Sequence, residues 1–338
     1  MRARIYGFAP PFAQEVATLA LDESQLHCQQ IYFPNGYGHL LYGELFLPAG
    51  EAEARVARRH QQVDENSGEA EARVPIRDWH SQFHQPRTSI FRVDPHATVG
   101  GTIFPPLTSI FRAGVVLTHG FRAGPPDWER SRYLARRLSG QGAAVLCFDY
   151  RGVGQSQGEM REAGLTNYAL DLGAAVSHLL SFVSQVVVVA HSFGGQVAMA
   201  RAAEDPRIAA VCTLGTPRHS LPIFQQVLSP ERYAELVGGA EIRFADRYGS
   251  FPLRPGFHYD LVRYNMIELV PRIAPRPLLL VYAGADNLTP LTEGYDLLAA
   301  AGEPKALEIV AGADHFFSRR QHREALAATI EHWLARIG

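Results

Sequence analysis

Residues 186–195 read Val-Val-Val-Val-Ala-His-Ser-Phe-Gly-Gly. An apolar run of strand length leads into a polar turn and then into small residues suited to a helix start. A serine at such a junction, Ser192, has its hydroxyl lifted clear of the strand, where it can attack a carbonyl. The small residues Ala190 and Gly194 let the backbone pass closely through the turn. The pattern is G-x-S-x-G with alanine in first place, and alanine is small enough to fit. An ordinary helix-capping serine is the competing reading.

A hydroxyl needs a base. The chain has 14 histidines, so position must decide. His315 follows the last apolar run, in the loop Ala311-Gly312-Ala313-Asp314-His315. His322 and His332 lie in the closing helical segment, and His191 projects differently from Ser192. His315 is therefore the expected base. The imidazole needs an acid to orient it and to stabilise its charged form. Asp286 ends the run LLLVYAGAD and lies between Ser192 and His315 in chain order. Its rivals are Asp314, adjacent to the base, and Asp260, in an irregular region. Two backbone amides should hold the developing oxyanion. Phe193 N–H directly follows the serine, and Phe121 N–H follows the tight turn His119-Gly120. The His119 side chain reads as structural. Arg122 is a candidate for a substrate anion, with a loop-bracing role favoured.

The elements around these residues must bring them to one edge. Residues 28–47 read as a hairpin turning at Pro34-Asn35-Gly36. From 114 onward, short apolar runs alternate with helical patterns. Strands are expected at 114–120, 143–150, 185–192, 208–217, 276–286 and 306–315. Helices are expected at 127–142, capped by Asp127, and at 165–183, 194–205, 290–301 and 321–337. Such alternation predicts a mostly parallel sheet covered on both faces, with ligands beyond the carboxyl ends of its strands.

Two regions break the rhythm. Residues 51–111 form an excursion in which GEAEARV occurs at 50–56 and 68–74, and TSIFR at 88–92 and 108–112. The spacings differ, so this is no regular repeat. A site wall and a homo-oligomer contact are both compatible with it. Residues 218–270, with one or two helices followed by aromatics and prolines, are expected to form a lid or cap. Its aromatics Tyr233, Phe251, Phe257, Tyr259 and Tyr264 suggest an apolar acyl pocket.

Asp149-Tyr150-Arg151-Gly152-Val153-Gly154-Gln155-Ser156 lacks the spacing of a phosphate loop and reads as a structural turn. Carboxylates and cysteines show no metal spacing, so neither metal nor cofactor is expected. Three scattered cysteines give no disulfide framework, and Cys147 and Cys212 sit in strand-like runs as buried thiols. A net charge of -2 gives no pull toward nucleic acid. The N-terminus does not read as a signal peptide, and no apolar window is long enough to span a membrane. A cytoplasmic location is the expectation.

The His-Gly loop at 119–120, the DYRGVGQS stretch, the AHSFGG turn, Asp286 and His315 occur in an order that resembles the α/β-hydrolase superfamily. The resemblance covers the hairpin and nearly all of 113–337, and is nearest to bacterial esterase-like, acyl-peptidase-like and lysophospholipase-like members. It implies an α/β-hydrolase fold: a mostly parallel central sheet with helices on both faces, an N-terminal antiparallel hairpin and a lid-like insertion. The core would comprise 1–50 and 112–338, with 51–111 outside its sheet. It implies acyl transfer, with Ser192 as nucleophile, His315 as base, Asp286 as acid, and Phe121 and Phe193 as oxyanion donors. The expected reaction is hydrolysis of small or medium carboxylic esters. Thioesterase and amidase or peptidase chemistry use the same residues, and Arg122, Arg254 and Arg263 are candidate contacts for an acyl-CoA. Dehalogenase and epoxide hydrolase readings require aspartate at 192. A non-catalytic binding protein would carry a broken triad.

Overall fold

The structure is a computed structural model and describes residues 27–48, 113–246 and 249–337. The excursion at 51–111 lies outside the described residues. The hairpin consists of β1 (His27–Pro34) and β2 (Leu40–Leu47), paired in antiparallel register. The remaining sheet strands are β3 (Ala113–Thr118), β4 (Ala144–Phe148), β5 (Gln185–His191), β6 (Ile208–Leu214), β9 (Leu278–Ala283) and β10 (Lys305–Val310). Their order across the sheet is β1-β2-β4-β3-β5-β6-β9-β10. Strand β2 meets β4 antiparallel, and every pairing from β4 to β10 is parallel.

A strand buried on both faces needs apolar residues at every position. Strand β5 meets that demand with four successive valines. Val186 and Val188 pack into the core on one face, and Val187 and Val189 into the core on the other. The first face carries helices α2 (Leu165–Leu180) and α3 (Phe193–Glu204), with Leu172, Val176, Leu179 and Val197 in its core. The second carries α1 (Pro125–Gly140) and α9 (Arg320–Ile337), with Leu134, Leu138, Leu326 and Ile330. Helix α8 (Leu291–Ala300) joins β9 to β10. Each fully buried Val or Leu contributes roughly 1.5–3 kcal/mol against exposure. Cys147 and Cys212 are buried free thiols, as expected, whereas Cys28 is exposed.

Helix α1 starts at Gly124 with prolines in its first turn, and no side chain caps it. Asp127 is not the cap that its position suggests. It is buried, and it bonds Arg130 and His191 instead.

Between β6 and β9 the chain forms α4 (Leu221–Val227), α5 (Pro230–Val237), an antiparallel ribbon of β7 (Ile242–Asp246) and β8 (Gly249–Leu253), then α6 (Pro255–Arg263) and α7 (Met266–Leu269). Helices α6 and α7 go beyond the one or two helices expected from sequence, which α4 and α5 match. The ribbon is also unexpected, because a five-residue strand with proline and glycine carries little periodic signal. Asp260 of α6 ties this region to the core. Its carboxylate accepts from Thr166 N at 2.9 Å and Thr166 Oγ1 at 2.8 Å. It thereby satisfies an amide in the first turn of α2, whose own N-cap residue, Gly164, has no side chain to offer.

The DYRGVGQS stretch is a braced turn. Arg151 donates to Asp171 through its backbone N at 2.9 Å and through Nε and Nη2 at 3.0 and 2.6 Å. Asn35 Nδ2 from the hairpin turn reaches the same carboxylate at 2.9 Å. The arginine is thus spent internally. Replacing Asp171 with alanine leaves a buried, unpaired guanidinium, and the expected loss on chemical denaturation is ~3–5 kcal/mol. A loss below ~1 kcal/mol would mean that the pair behaves like a surface salt bridge.

Candidate active site

Ser192, Asp286 and His315 follow β5, β9 and β10, and Phe121 follows β3, so the carboxyl ends of four parallel strands supply them. At Ser192 the backbone takes φ 52° and ψ -121°. A non-glycine residue there is strained, at a cost of about 1–3 kcal/mol. The turn is held by Ser192 N donating to Leu214 O at 2.8 Å. Gly194 is required by contact: a Cβ there would collide with the His119 carbonyl and lie 2.7 Å from Thr118 Oγ1.

The three residues form one hydrogen-bonded chain. His315 Nε2 lies 3.0 Å from Ser192 Oγ, and His315 Nδ1 lies 2.7 Å from Asp286 Oδ2. The other Asp286 oxygen accepts from the amides of Leu288 at 2.8 Å and Thr289 at 2.9 Å, which fixes the carboxylate plane. The two loops are joined where Ala285 N donates to Ala313 O at 2.8 Å. Gly215, at φ 52°, passes so close that a Cβ would sit 3.2 Å from Asp286 Oδ2. Burial pushes the Asp286 pKa up, but the His315 hydrogen bond and charge and the two loop amides outweigh it and hold the carboxyl below its ordinary value. The rival acids are engaged elsewhere: Asp314 accepts from Ser318 N at 2.7 Å, and Asp260 binds Thr166.

The two residues expected to supply oxyanion amides are neighbours. The Phe121 and Phe193 rings meet edge to face at 5.4 Å. Phe193 opens α3, so its N–H has no acceptor within the helix. The 120–121 loop is pinned by its carbonyls. His119 Nδ1 lies 2.9 Å from Gly120 O, and Tyr168 Oη donates to Phe121 O at 3.4 Å. Tyr150 N donates to His119 Nε2 at 3.3 Å, so Nδ1 carries the hydrogen and donates to Gly120. Burial lowers the His119 pKa to about 4, which keeps that ring neutral. In a trans peptide the Gly120 carbonyl and the Phe121 N–H point opposite ways. Holding the one therefore aims the other.

Phe121 is surrounded by rings from four further elements: Phe193, Phe224 of α4, Phe251 of β8 and Phe257 of α6, with centroids 4.9–5.9 Å away. Of the aromatics picked out in sequence, Phe251 and Phe257 are in this cluster. Tyr259 is 60% exposed, and Tyr233 bonds His258 at 2.8 Å. Phe224 was not anticipated; its helix pattern is short, and its packing against Phe121 and Phe257, at 4.9 and 4.7 Å, is what marks it. Arg122 stacks over Phe251 at 5.0 Å, Arg263 lies 5.7 Å from the Tyr264 ring centre, and Arg254 reaches Glu241 at 3.3 Å.

Sequence reasoning also missed Asp127, Arg130 and His191. His191 Nδ1 lies 3.0 Å from Asp127 Oδ1, and its Nε2 lies 2.9 Å from the carbonyl of His315. Burial and the Arg130 charge lower the His191 pKa to about 4, against the pull of Asp127. The i, i+3 spacing of Asp127 and Arg130 on a helix was the available signal.

A parallel sheet with a strained serine turn after its central strand, and with histidine and aspartate loops meeting it, defines the α/β-hydrolase class. The family model described as the alpha/beta hydrolase family matches residues 115–329. The chain belongs to that family, and its activity is of the hydrolase type. It is 32% identical over 221 residues to an uncharacterized protein of Mycobacterium tuberculosis, covering 64% of this chain and 68% of that one. It is 24% identical over 266 residues to the polyketide transferase grgF of a Penicillium species, covering 64% and 85%. Among solved structures, Est1E from Butyrivibrio proteoclasticus superposes with a TM-score of 0.59 at 15% identity, over 91% of this chain and 98% of that one. Among the described residues no helix is long and apolar enough to cross a membrane, and no cluster of side chains is arranged to hold a metal ion.

Two measurements probe this geometry. Gly194→Ala forces the turn against the His119 carbonyl, and a stability loss of ~1–3 kcal/mol is expected from overpacking; an unchanged melting temperature would contradict the contact. Asp286 has a folded pKa below its unfolded value. Its contribution to stability is therefore full above the unfolded carboxylate pKa and lost as pH falls through the folded one. Melting curves taken down through that window should show a shallower acid limb for Asp286→Asn than for the natural chain.

Proposed function

We propose that this protein is a serine hydrolase that cleaves carboxylic esters through an acyl-enzyme. The observation that carries the reading is the unbroken chain from Ser192 Oγ to His315 Nε2 at 3.0 Å and from His315 Nδ1 to Asp286 Oδ2 at 2.7 Å. His315 takes the Ser192 proton as Oγ attacks the carbonyl carbon. The N–H groups of Phe121 and Phe193 receive the oxyanion, and Asp286 stabilises the imidazolium. His315 then returns the proton to the leaving alkoxide. Water then attacks the acyl carbon while giving a proton to His315, and His315 returns that proton to Ser192 Oγ as the acyl–Oγ bond breaks and the acid leaves. The chemistry proceeds without cofactor or metal.

The phenylalanine cluster around Phe121 gives the acyl portion an apolar surface, which favours small to medium hydrophobic acyl groups over charged ones. Residues 218–270 act as the lid that carries Phe224, Phe251 and Phe257 over the site. The rest of the described chain is the core domain. A second reading, acyl transfer from a thioester to another nucleophile, draws support from the similarity to a protein named a polyketide transferase, since both reactions share the acyl-enzyme.

A serine-directed fluorophosphonate should modify Ser192, seen by peptide mass mapping, and Ser192→Ala should not be labelled. Turnover of a chain-length series of p-nitrophenyl esters should fall on the order of 10⁴-fold or more in Ser192→Ala and in His315→Ala. Label on another residue, with Ser192→Ala still active, rejects the assignment. Faster turnover of CoA thioesters or aminoacyl amides than of esters moves the substrate class and leaves the residue roles in place.

A further inference from the structure

Three buried side chains that take no part in the reaction above form a chain behind the base. Arg130 and His191 are each 1% exposed, and Asp127 is 3% exposed. Arg130 Nη2 donates to Asp127 Oδ1 at 2.9 Å, and His191 Nδ1 lies 3.0 Å from that same oxygen. At the far end, His191 Nε2 lies 2.9 Å from the His315 carbonyl, and Arg130 Nη1 donates to the Phe316 carbonyl at 3.3 Å. Two successive main-chain carbonyls of the base-bearing loop are therefore held from one buried cluster.

Such a cluster is a poor way merely to fill space. Desolvating an ion pair and an imidazole costs more than packing apolar residues of the same volume. The polar set supplies direction instead. Bonds on two consecutive carbonyls fix the rotation of the peptide planes that flank Phe316, and with them the direction in which His315 leaves the main chain. That loop needs holding. Phe317 is fully buried with a left-handed φ of 54°, a conformation that persists only where the surroundings over-determine it. The His315 ring must reach Ser192 and Asp286 at once, at 3.0 and 2.7 Å. Both neighbours of the His191 ring, a carboxylate and a carbonyl, are acceptors, so the ring makes both bonds only with hydrogen on both nitrogens. Burial and Arg130 hold the ring's pKa at about 4 against the pull of Asp127, so near neutral pH it carries one hydrogen, and the bond to the His315 carbonyl is made with that hydrogen on Nε2.

We propose that His191, backed by Asp127 and Arg130, is a positioning residue for the proposed base: it sets the attitude of His315 through the His315 main-chain carbonyl and does not touch substrate. The proposal rests on the reading of His315 as the base.

The test separates reach from polarity. In His191→Asn the side-chain amide occupies the place of Nδ1 and keeps the Asp127 contact, but it is too short for the His315 carbonyl. In His191→Gln the amide nitrogen reaches the place of Nε2 and can donate to that carbonyl. Ester turnover is divided by the number of Ser192 sites that fluorophosphonate labels to completion, so that misfolded molecules drop out. His191→Asn should lose about 10- to 100-fold in kcat, the scale of a misplaced catalytic group, with KM within about twofold. His191→Gln should recover to within about threefold of the natural chain, the worth of roughly one hydrogen bond retained. Equal kcat in the two variants, or a change confined to KM, overturns the proposal.

Arg130→Lys is the second variant. It keeps a cation on Asp127 but gives up the fork onto the Phe316 carbonyl, and an unchanged kcat per labelled site counts against the proposal. An independent readout needs no substrate. The downfield proton resonance of the His315–Asp286 hydrogen bond should survive in His191→Gln and broaden or vanish in His191→Asn. If the fluorophosphonate leaves Ser192 of the natural chain untouched, the reading of the reaction fails, and this resonance still decides whether His191 orients His315.

Discussion

The structure depends on one sharp turn. At Ser192 the chain leaves the central strand β5 and enters α3 in a single residue, with a positive φ of 52°. A backbone that strained needs rigid walls. Four valines buried on both faces of the sheet hold the strand, the Leu214 carbonyl holds the turn, and Gly194 lets the turn press against the His119 carbonyl. The same close approach brings the 119–121 loop beside the start of α3. The constraint that raises the serine hydroxyl therefore also brings Phe121 and Phe193, whose amides are proposed to receive an oxyanion, side by side.

Electrostatics around this turn are arranged in two layers. In front, Asp286 faces His315, and its second oxygen is saturated by loop amides, so the carboxylate has one orientation and a lowered pKa. Behind, Asp127 is paired with Arg130 and faces His191. Burial would penalise either carboxylate alone, and each is offset by a specific partner. Both layers converge on the backbone and side chain of His315. The apolar side is supplied by five phenylalanines from five separate segments, packed together around Phe121.

The residues of the Ser192–His315–Asp286 chain and the sheet were legible because each had a local sequence correlate. Val186–Val189 could only be a doubly buried strand, and the small residues at 190 and 194 announced a tight turn. Asp286 and His315 each followed an apolar run of strand length, and parallel strands end on the same edge. The β7–β8 ribbon was not legible, because its strands are only five residues long and β8 contains both Gly249 and Pro252. Asp127 was misread for a related reason. Its place near a helix start fits a cap, and only the approach of His191, 64 positions along the chain, turns it into a buried acceptor.

The sequence by itself determined the fold family, the order of serine, aspartate and histidine, and the strand ends that bear them. Those follow from short-range rules: hydrophobic period, turn chemistry and chain order. Only the tertiary structure decided what surrounds them. The phenylalanine cluster, the cap of α2 supplied by Asp260, the pinning of the Gly120 carbonyl by His119 and the Arg130–Asp127–His191 chain all join residues far apart in sequence. Their energies depend on distances of a few ångströms between separately folded elements. No local pattern encodes such distances until the sheet has closed and brought its loops to one edge.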